Sequence, residues 1–233
     1  LLTHLDRDHF KPTWMPTLLR DRIPLYLAER HLHALHHADP DHAALARQLH
    51  QAGLLHTFNG QSFDLGDDPP ARVQPVHLDH DRAGTVGYVL GHHTHRLGYA
   101  TDLGRVPDAL LDAFTNVDML AIESNYDRDM QQASDRPAML KRRITGGRGH
   151  LSNEQAMAAV RAIVERSIRP PRHVVLLHLS RQCNRPDLVR RLYADDPAVA
   201  NRLCVTRQHA RTDWLRLDAA APVLVGEQLP MFT

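Results

Sequence analysis

Hydrophobic and polar positions recur along this chain with two different periods, and the change from one to the other sets the order of elements. In the first fifty residues the spacing is helical. Trp14 to Arg22 and Glu29 to His37 read as short helices on either side of the apolar piece Ile23-Pro24-Leu25-Tyr26-Leu27. Asp41 to Ala52 reads as a third helix, with Asp39 or Asp41 as cap and Gly53 as stop. From Leu54 to Ala100 the period falls to two. Short runs are parted there by Asn59-Gly60, by Gly66 to Pro70 and by Gly91 to His95, which predicts antiparallel strands and hairpins. Beyond Asp102, strand and helix alternate. Met119 to Ile122 and Val174 to Leu177 are continuous apolar runs suited to buried strands, and Asn153 to Ile168 is a long amphipathic helix with Ser152 and Gln155 as its capping box. The sequence shows no repeat, low-complexity segment or linker, so the expectation is one α/β layered domain over residues 1–233.

Composition narrows the class. With 233 residues, 42% of them hydrophobic, the chain can bury a substantial core. The formal net charge is only +1, so contact with nucleic acid has to come from a local basic patch. Cys183 and Cys204 are isolated, which points to a reducing, cytoplasmic setting without a disulfide framework. No segment approaches the roughly 20 apolar residues needed to span a bilayer. Eighteen histidines are too many to be informative by number, and His31, His33, His36 and His37 are expected at the surface. The chain opens on Leu1-Leu2 without an initiator Met, and the expectation is that sequence upstream is missing.

The chemistry begins at once. Residues 3 to 10, Thr-His-Leu-Asp-Arg-Asp-His-Phe, place His4, Asp6, Asp8 and His9 within six positions. In an extended segment His4, Asp6 and Asp8 share a face, and a turn brings His9 beside them, which makes a claw for a divalent cation. The same residues also suit a polar turn without metal. Four later segments put ligand-type residues at strand ends or helix starts: Val76-His77-Leu78-Asp79-His80-Asp81, Tyr99-Ala100-Thr101-Asp102-Leu103-Gly104, Gly149-His150-Leu151-Ser152-Asn153 and Val174 to Ser180 with His178. Singly, Asp102 also reads as a turn cap, His80 as a surface residue and His178 as a core histidine. Their order (claw, His, Asp, His, His) favours convergence on one rim of an α/β sheet.

With Gly87-Tyr88, Glu123-Ser124-Asn125 and Leu140-Lys141-Arg142-Arg143-Ile144, this series resembles the metallo-β-lactamase fold superfamily. It is most similar to the YycJ-like (WalJ) branch of metal-dependent phosphodiesterases and exonucleases, itself similar to tRNase Z. The resemblance runs from Leu1 to about Ser180. It implies an αββα sandwich, here without the strands that precede the ligand motif in the family. It also implies two divalent metal ions, zinc or manganese. His4, His80 and Asp6, the last in the place of a usual His, would hold the first; Asp8, His9 and His178 would hold the second, and Asp102 would bridge them. A metal-bridging hydroxide would attack, with Asp8 and Asp102 shaping the reacting centre and His150 donating the proton to the leaving oxygen.

Asp6 is the departure from the family. It adds a carboxylate to the ligand set, and a hard oxygen donor in place of imidazole favours ions such as Mn²⁺ or Mg²⁺. Lys141, Arg142, Arg143, Arg148 and Asn153 are the expected substrate-binding residues, the cations holding phosphates of a nucleic-acid substrate. Two alternatives stay open from sequence. The same metal pair serves acyl chemistry on a carboxylic ester, thioester or lactam, and a chain altered at Asp6 could be a catalytically silent metal-binding module.

Overall fold

The computed structural model describes residues 1–37 and 39–217, and stacks helix, sheet, sheet and helix in four layers. The outer helical layer is α1 (Met15–Arg20), α2 (Glu29–His36) and α3 (Pro40–Gln51). Beneath it lie β1 (Leu25–Ala28) and β2 (Leu55–Phe58). These two strands pair in parallel, Leu25 opposite Leu55. Leu54 to Phe58 therefore does not belong to the antiparallel run expected from its spacing. Parallel partners need a long crossover, and α2 with α3 supplies it. Met15, Leu27, Leu35 and Leu49 fill the space between these helices and strands.

The second sheet has seven strands in sequential order: β3 (Phe63–Leu65), β4 (Ala71–Leu78), β5 (Thr85–His92), β6 (His95–Ala100), β7 (Met119–Glu123), β8 (His173–Leu177) and β9 (Leu203–Val205). Pairing is antiparallel from β3 to β6 and parallel from β6 to β9. Ala28, Phe58, Val73, Val86 and Tyr88 seal the two sheets together. On the far face pack α4 (Asp108–Ala113), α7 (Asn153–Arg166) and α8 (Pro186–Tyr193), while α5 (Arg128–Ala133) and α6 (Ala138–Thr145) lie in the β7–α7 connection. Phe114, Leu120, Ile122, Leu151, Ile163, Leu176 and Tyr193 are fully or almost fully buried here. Each such side chain contributes about 1.5–3 kcal/mol.

Local chemistry explains the boundaries. Asp39 Oδ1 accepts from Asp41 N and caps α3, and Gly53, at φ +68°, turns the chain after it. The helix expected over Trp14 to Arg22 is shorter, because Pro16 sits in its first turn and Arg22 adopts φ 52°. The capping box of Ser152 and Gln155 forms as expected, and α7 ends at Arg166 because Ser167 is extended. His31, expected at the surface, is 1% exposed on the inner face of α2, and neither ring nitrogen has a hydrogen-bond partner. His33 and His37 are exposed and stacked, with centroids 3.9 Å apart. No helix among the described residues is long and apolar enough to cross a membrane. Residues 218–233, the end of the expected domain, lie outside the described residues.

The topology places the chemistry. Strands β4 and β6 are both antiparallel to β5, and β7 and β8 are parallel to β6, so the carboxyl ends of all four lie along one edge.

Candidate metal centre

Each of those four strand ends delivers a polar side chain to the same place: His80 after β4, Asp102 after β6, Glu123 at the end of β7 and His178 after β8. Asp102 (φ 61°) and His178 (φ 57°) hold left-handed backbone conformations without being glycine. Such strain costs about 1–3 kcal/mol per residue and persists where surrounding structure fixes the side chain. The loop from His4 to His9 hangs over the same edge. It is tied to β1 by Leu2 N donating to Tyr26 O, and to β5 by Val86 N donating to Thr3 O.

Five imidazoles form a closed circuit. Ring centroids are separated by 5.2 Å from His4 to His80, 5.4 Å from His80 to His150 and 5.4 Å from His150 to His178. The circuit closes with 5.3 Å from His178 to His9 and 4.4 Å from His9 to His4. Asp102 stands among them, with Oδ2 2.9 Å from His9 Nε2 and Oδ1 3.8 Å from His80 Nε2. Ligand atoms gather into sets: His4, His80 and Asp102; Asp8, His9 and His178; and Asp6, His80 and Asp81. Asp6 Oδ2 lies 3.7 Å from His4 Nε2 and 3.8 Å from His80 Nε2.

The Nδ1 side of the rings is occupied by protein. His80 Nδ1 donates to the Gly149 carbonyl at 3.1 Å, an atom that can only accept, so Nε2 is left with a lone pair, facing the Asp6 and Asp102 carboxylates. Thr3 and Thr85 hydroxyls stand 3.0 Å and 3.3 Å from His4 Nδ1. His4 Nε2, His9 Nε2 and Asp102 Oδ2 are buried and have no partner in hydrogen-bonding alignment, although His9 and Asp102 are close. A buried polar atom left without a partner, as His4 Nε2 is, costs about 1–3 kcal/mol. Two of the three come from the His4–His9 loop and one from just after β6, and imidazole nitrogens with a carboxylate oxygen are donors that can hold a divalent cation.

Glu123 is legible in sequence only as part of a motif, and here it is central. It is wholly buried. Its Oε1 accepts from Leu151 N at 2.6 Å. Its Oε2 accepts from Asp102 N at 2.7 Å and from Nδ1 of both His150 and His178, each at 3.2 Å. A carboxylate closing a buried apolar strand is the signal that could have found it.

Electrostatics follow from this packing. Burial works to raise the Asp102 carboxyl, but contact with His9 and the nearby His178 and His4 outweigh it and hold it below the ordinary range. Burial likewise opposes ionised Glu123, and hydrogen bonds from His150 and His178 prevail. The two histidines respond in kind. Both resist charge because they are buried, yet Glu123 raises His150, and Asp8 with Glu123 pushes His178 up to about 10. The His178 hydrogen bond holds Asp8 down to about 2.

A cavity of about 1360 Å³ opens over the cluster, lined by Asp6, Asp8, His80, Asp102, His150 and His178 and rimmed by Arg136, Arg143, Arg181, Arg190 and Arg207. Of the five residues expected to bind substrate, Arg143 lines this cavity, paired with Asp81. Arg142 and Arg148 line a neighbouring cavity. Lys141 Nζ donates to Gln132 O at 2.6 Å and lines neither. Asn153 is 2% exposed and bonded to Ser124 and Asn184, whose amide in turn holds the carbonyls of Ser124 and Asn125.

The β-lactamase superfamily domain model matches residues 1–179, and the chain belongs to that superfamily. Within it the chain is similar to exodeoxyribonuclease YycJ of Bacillus anthracis, 27% identical over 190 residues that cover 82% of this chain and 67% of that protein. It is also similar to exodeoxyribonuclease WalJ of Streptococcus pneumoniae serotype 2, 32% identical over 148 residues that cover 63% of this chain and 52% of that one. The chain thus spans about two thirds of the first relative and about half of the second. The crystal structure of human tRNase Z, short form, superposes with a TM-score of 0.51 at 17% identity, covering 88% of this chain and 74% of that chain, a likeness of fold.

Proposed function

We propose that this chain is a metal-dependent hydrolase of nucleic-acid phosphodiesters, acting as an exonuclease through a dinuclear centre. His4, His80 and Asp6 would hold one divalent ion and Asp8, His9 and His178 the other, with Asp102 between them. When bound, the two ions would supply Lewis acidity toward a phosphoryl oxygen and lower the pKa of the attacking water. Asp6 tilts the choice between zinc and manganese toward manganese, since an extra carboxylate is a hard donor. Two free cysteines, Cys183 and Cys204, fit a cytoplasmic setting.

The observation that carries this reading is His150, fixed by Glu123 at the floor of a cavity with an arginine rim. With Nδ1 on the carboxylate, His150 presents Nε2 to the cavity, where it can hand a proton to the leaving sugar oxygen. A phosphodiester needs that proton because its leaving alkoxide is strongly basic, and such donors contribute typically 10²–10⁴ in rate. Arg143 and the other rim arginines would hold the phosphates flanking the scissile one. Arg142 and Arg148 would act further along the strand. Lys141 would act by anchoring α6 on Gln132. Asn153 would act through Asn184, keeping the Asn125 loop in place, and Asn125 Nδ2 donates to the His178 carbonyl at 2.8 Å. The names of YycJ and WalJ support DNA as substrate.

The test is digestion of single-stranded and duplex DNA by purified protein with added Mn²⁺ or Zn²⁺. Release of nucleotides that stops on chelation and in Asp102→Ala supports the proposal. Turnover of nitrocefin or a thioester, with DNA left intact, would replace it with acyl chemistry.

A further inference from the structure

Behind the wall formed by Asp81 and Arg143 lies a second cavity of about 880 Å³, and its lining is unusual in charge. Five arginines line it: Arg82 from the β4–β5 turn, Arg105 from the loop after β6, and Arg142, Arg143 and Arg148 from α6 and the loop leading to α7. Two carboxylates partner two of them, Asp79 with Arg105 and Asp81 with Arg143. Arg82, Arg142 and Arg148 form no side-chain hydrogen bond or ion pair among the described residues. Three arginines without a charged partner, one from the β4–β5 turn, one from α6 and one from the loop after it, give this cavity a local positive field that favours an anion.

The frame behind these charges is fixed. A Cβ on Gly104 would fall on the backbone of Gly147 and Arg148, and one on Gly149 would fall on the carbonyls of Arg143 and Ile144. Asp81 N donates to Arg148 O at 2.9 Å, and His150 N to Ile144 O at 2.8 Å. The loop between α6 and α7 therefore carries Arg148, the His150 imidazole and the Gly149 carbonyl that orients His80.

We infer that this second cavity is an anion subsite for phosphates of the substrate strand beyond the scissile one, so that a bound strand passes over the Asp81–Arg143 pair. The inference rests on the nucleic-acid reading above and deepens it. Arg82 and Arg105 enter the substrate site by this route, although neither lies near the others in sequence. The ligand chemistry is a phosphate oxyanion, supplied either by an internal diester or by a terminal monoester of the strand.

The experiment is fluorescence anisotropy of a labelled single-stranded oligonucleotide on metal-free protein across a salt series, which reads binding without catalysis. Each phosphate that the protein no longer neutralises lowers the slope of log K against log salt by about 0.7 for single strands. The triple variant Arg82→Ala, Arg142→Ala, Arg148→Ala is expected to lower it by about 2, while a triple variant of Arg22, Arg47 and Arg169 to alanine, which line neither cavity, changes it much less. Arg82→Glu alone is expected to lower the slope by about 0.7, a second reading should the triple variant fold poorly. Oligonucleotides with and without terminal phosphates separate the sources: equal loss on both identifies diesters, and loss confined to the phosphorylated strand identifies the terminal monoester. An unchanged slope in both cavity variants, or an equal fall in the control, overturns the subsite. Because the readout is binding, that failure stands apart from a failure to hydrolyse DNA.

Discussion

His150 and His178 lean on the same oxygen: their Nδ1 atoms are each 3.2 Å from Glu123 Oε2. One buried carboxylate thus orients two histidines together, His178 proposed as a metal ligand and His150 proposed as the proton donor. His150→Ala is expected to slow DNA hydrolysis by about 10²–10⁴. Hydrolysis of bis(p-nitrophenyl) phosphate, whose leaving group departs without a proton, falls far less. Equal losses on both substrates would remove His150 from the proton-transfer role.

Glu123→Gln tests the shared support. An amide in this position loses the full negative charge that favours His150 and His178 as donors. The expected outcome is a kcat lowered by about 10–100-fold, weaker metal retention, and a KM for DNA that moves little. A variant with wild-type pH profile and metal content would show that Glu123 only fills space.

Asp6 is proposed to set metal preference. Metal analysis of wild-type protein purified without chelators is expected to show manganese retained at least as well as zinc, and Asp6→His is expected to swing the balance to zinc. A wild type fully occupied by two zinc ions would contradict this.

His31 gives the fold an acid sensitivity. Burial first, then the charges of Arg30, His4 and His77, lower its pKa from 6.5 to about 4. The unfolded chain therefore takes up a proton below pH 6.5 that the folded chain refuses, so stability falls with pH between 6.5 and 4. The loss comes to about 2 kcal/mol between pH 6.5 and pH 5. Urea titrations of metal-free protein at the two pH values, beside His31→Leu, check it, the variant being expected to lose most of this dependence.

Gly104→Ala should disturb stability and the loop together, because its Cβ meets the Gly147 and Arg148 backbone. Overpacking of this kind costs about 1–3 kcal/mol, or a Tm lower by roughly 2–10 °C in a domain of this size. Calorimetry reads the shift, and an unchanged Tm would show that the loop yields freely.

What can be read from the chain follows from what is local. His178 directly follows the apolar run Val174 to Leu177, and His80 and Asp102 stand two residues beyond the last residues of β4 and β6, so their place at strand ends is visible in sequence. The parallel partnership of β1 and β2 is not, because periodicity marks a strand without naming its partner, and Leu25 meets Leu55 only across two helices. Residue type alone puts His31 at the surface, whereas the inner face of α2 decides its burial beside Leu35. In sequence the arginines after Leu140 look like one patch. Folding turns Lys141 to Gln132 and gives Arg142 and Arg148 to a cavity shared with Arg82 and Arg105, which no linear spacing reveals.

The most direct measurement is the hydrolysis of bis(p-nitrophenyl) phosphate by metal-stripped protein as Mn²⁺ is titrated in, wild type beside Asp102→Ala. Activity that rises to a plateau near two equivalents per chain, and is absent from the folded variant, is the expected result. A folded wild type inert with every divalent ion, or an Asp102→Ala protein as active as wild type, would contradict a metal-dependent phosphodiesterase centred on Asp102.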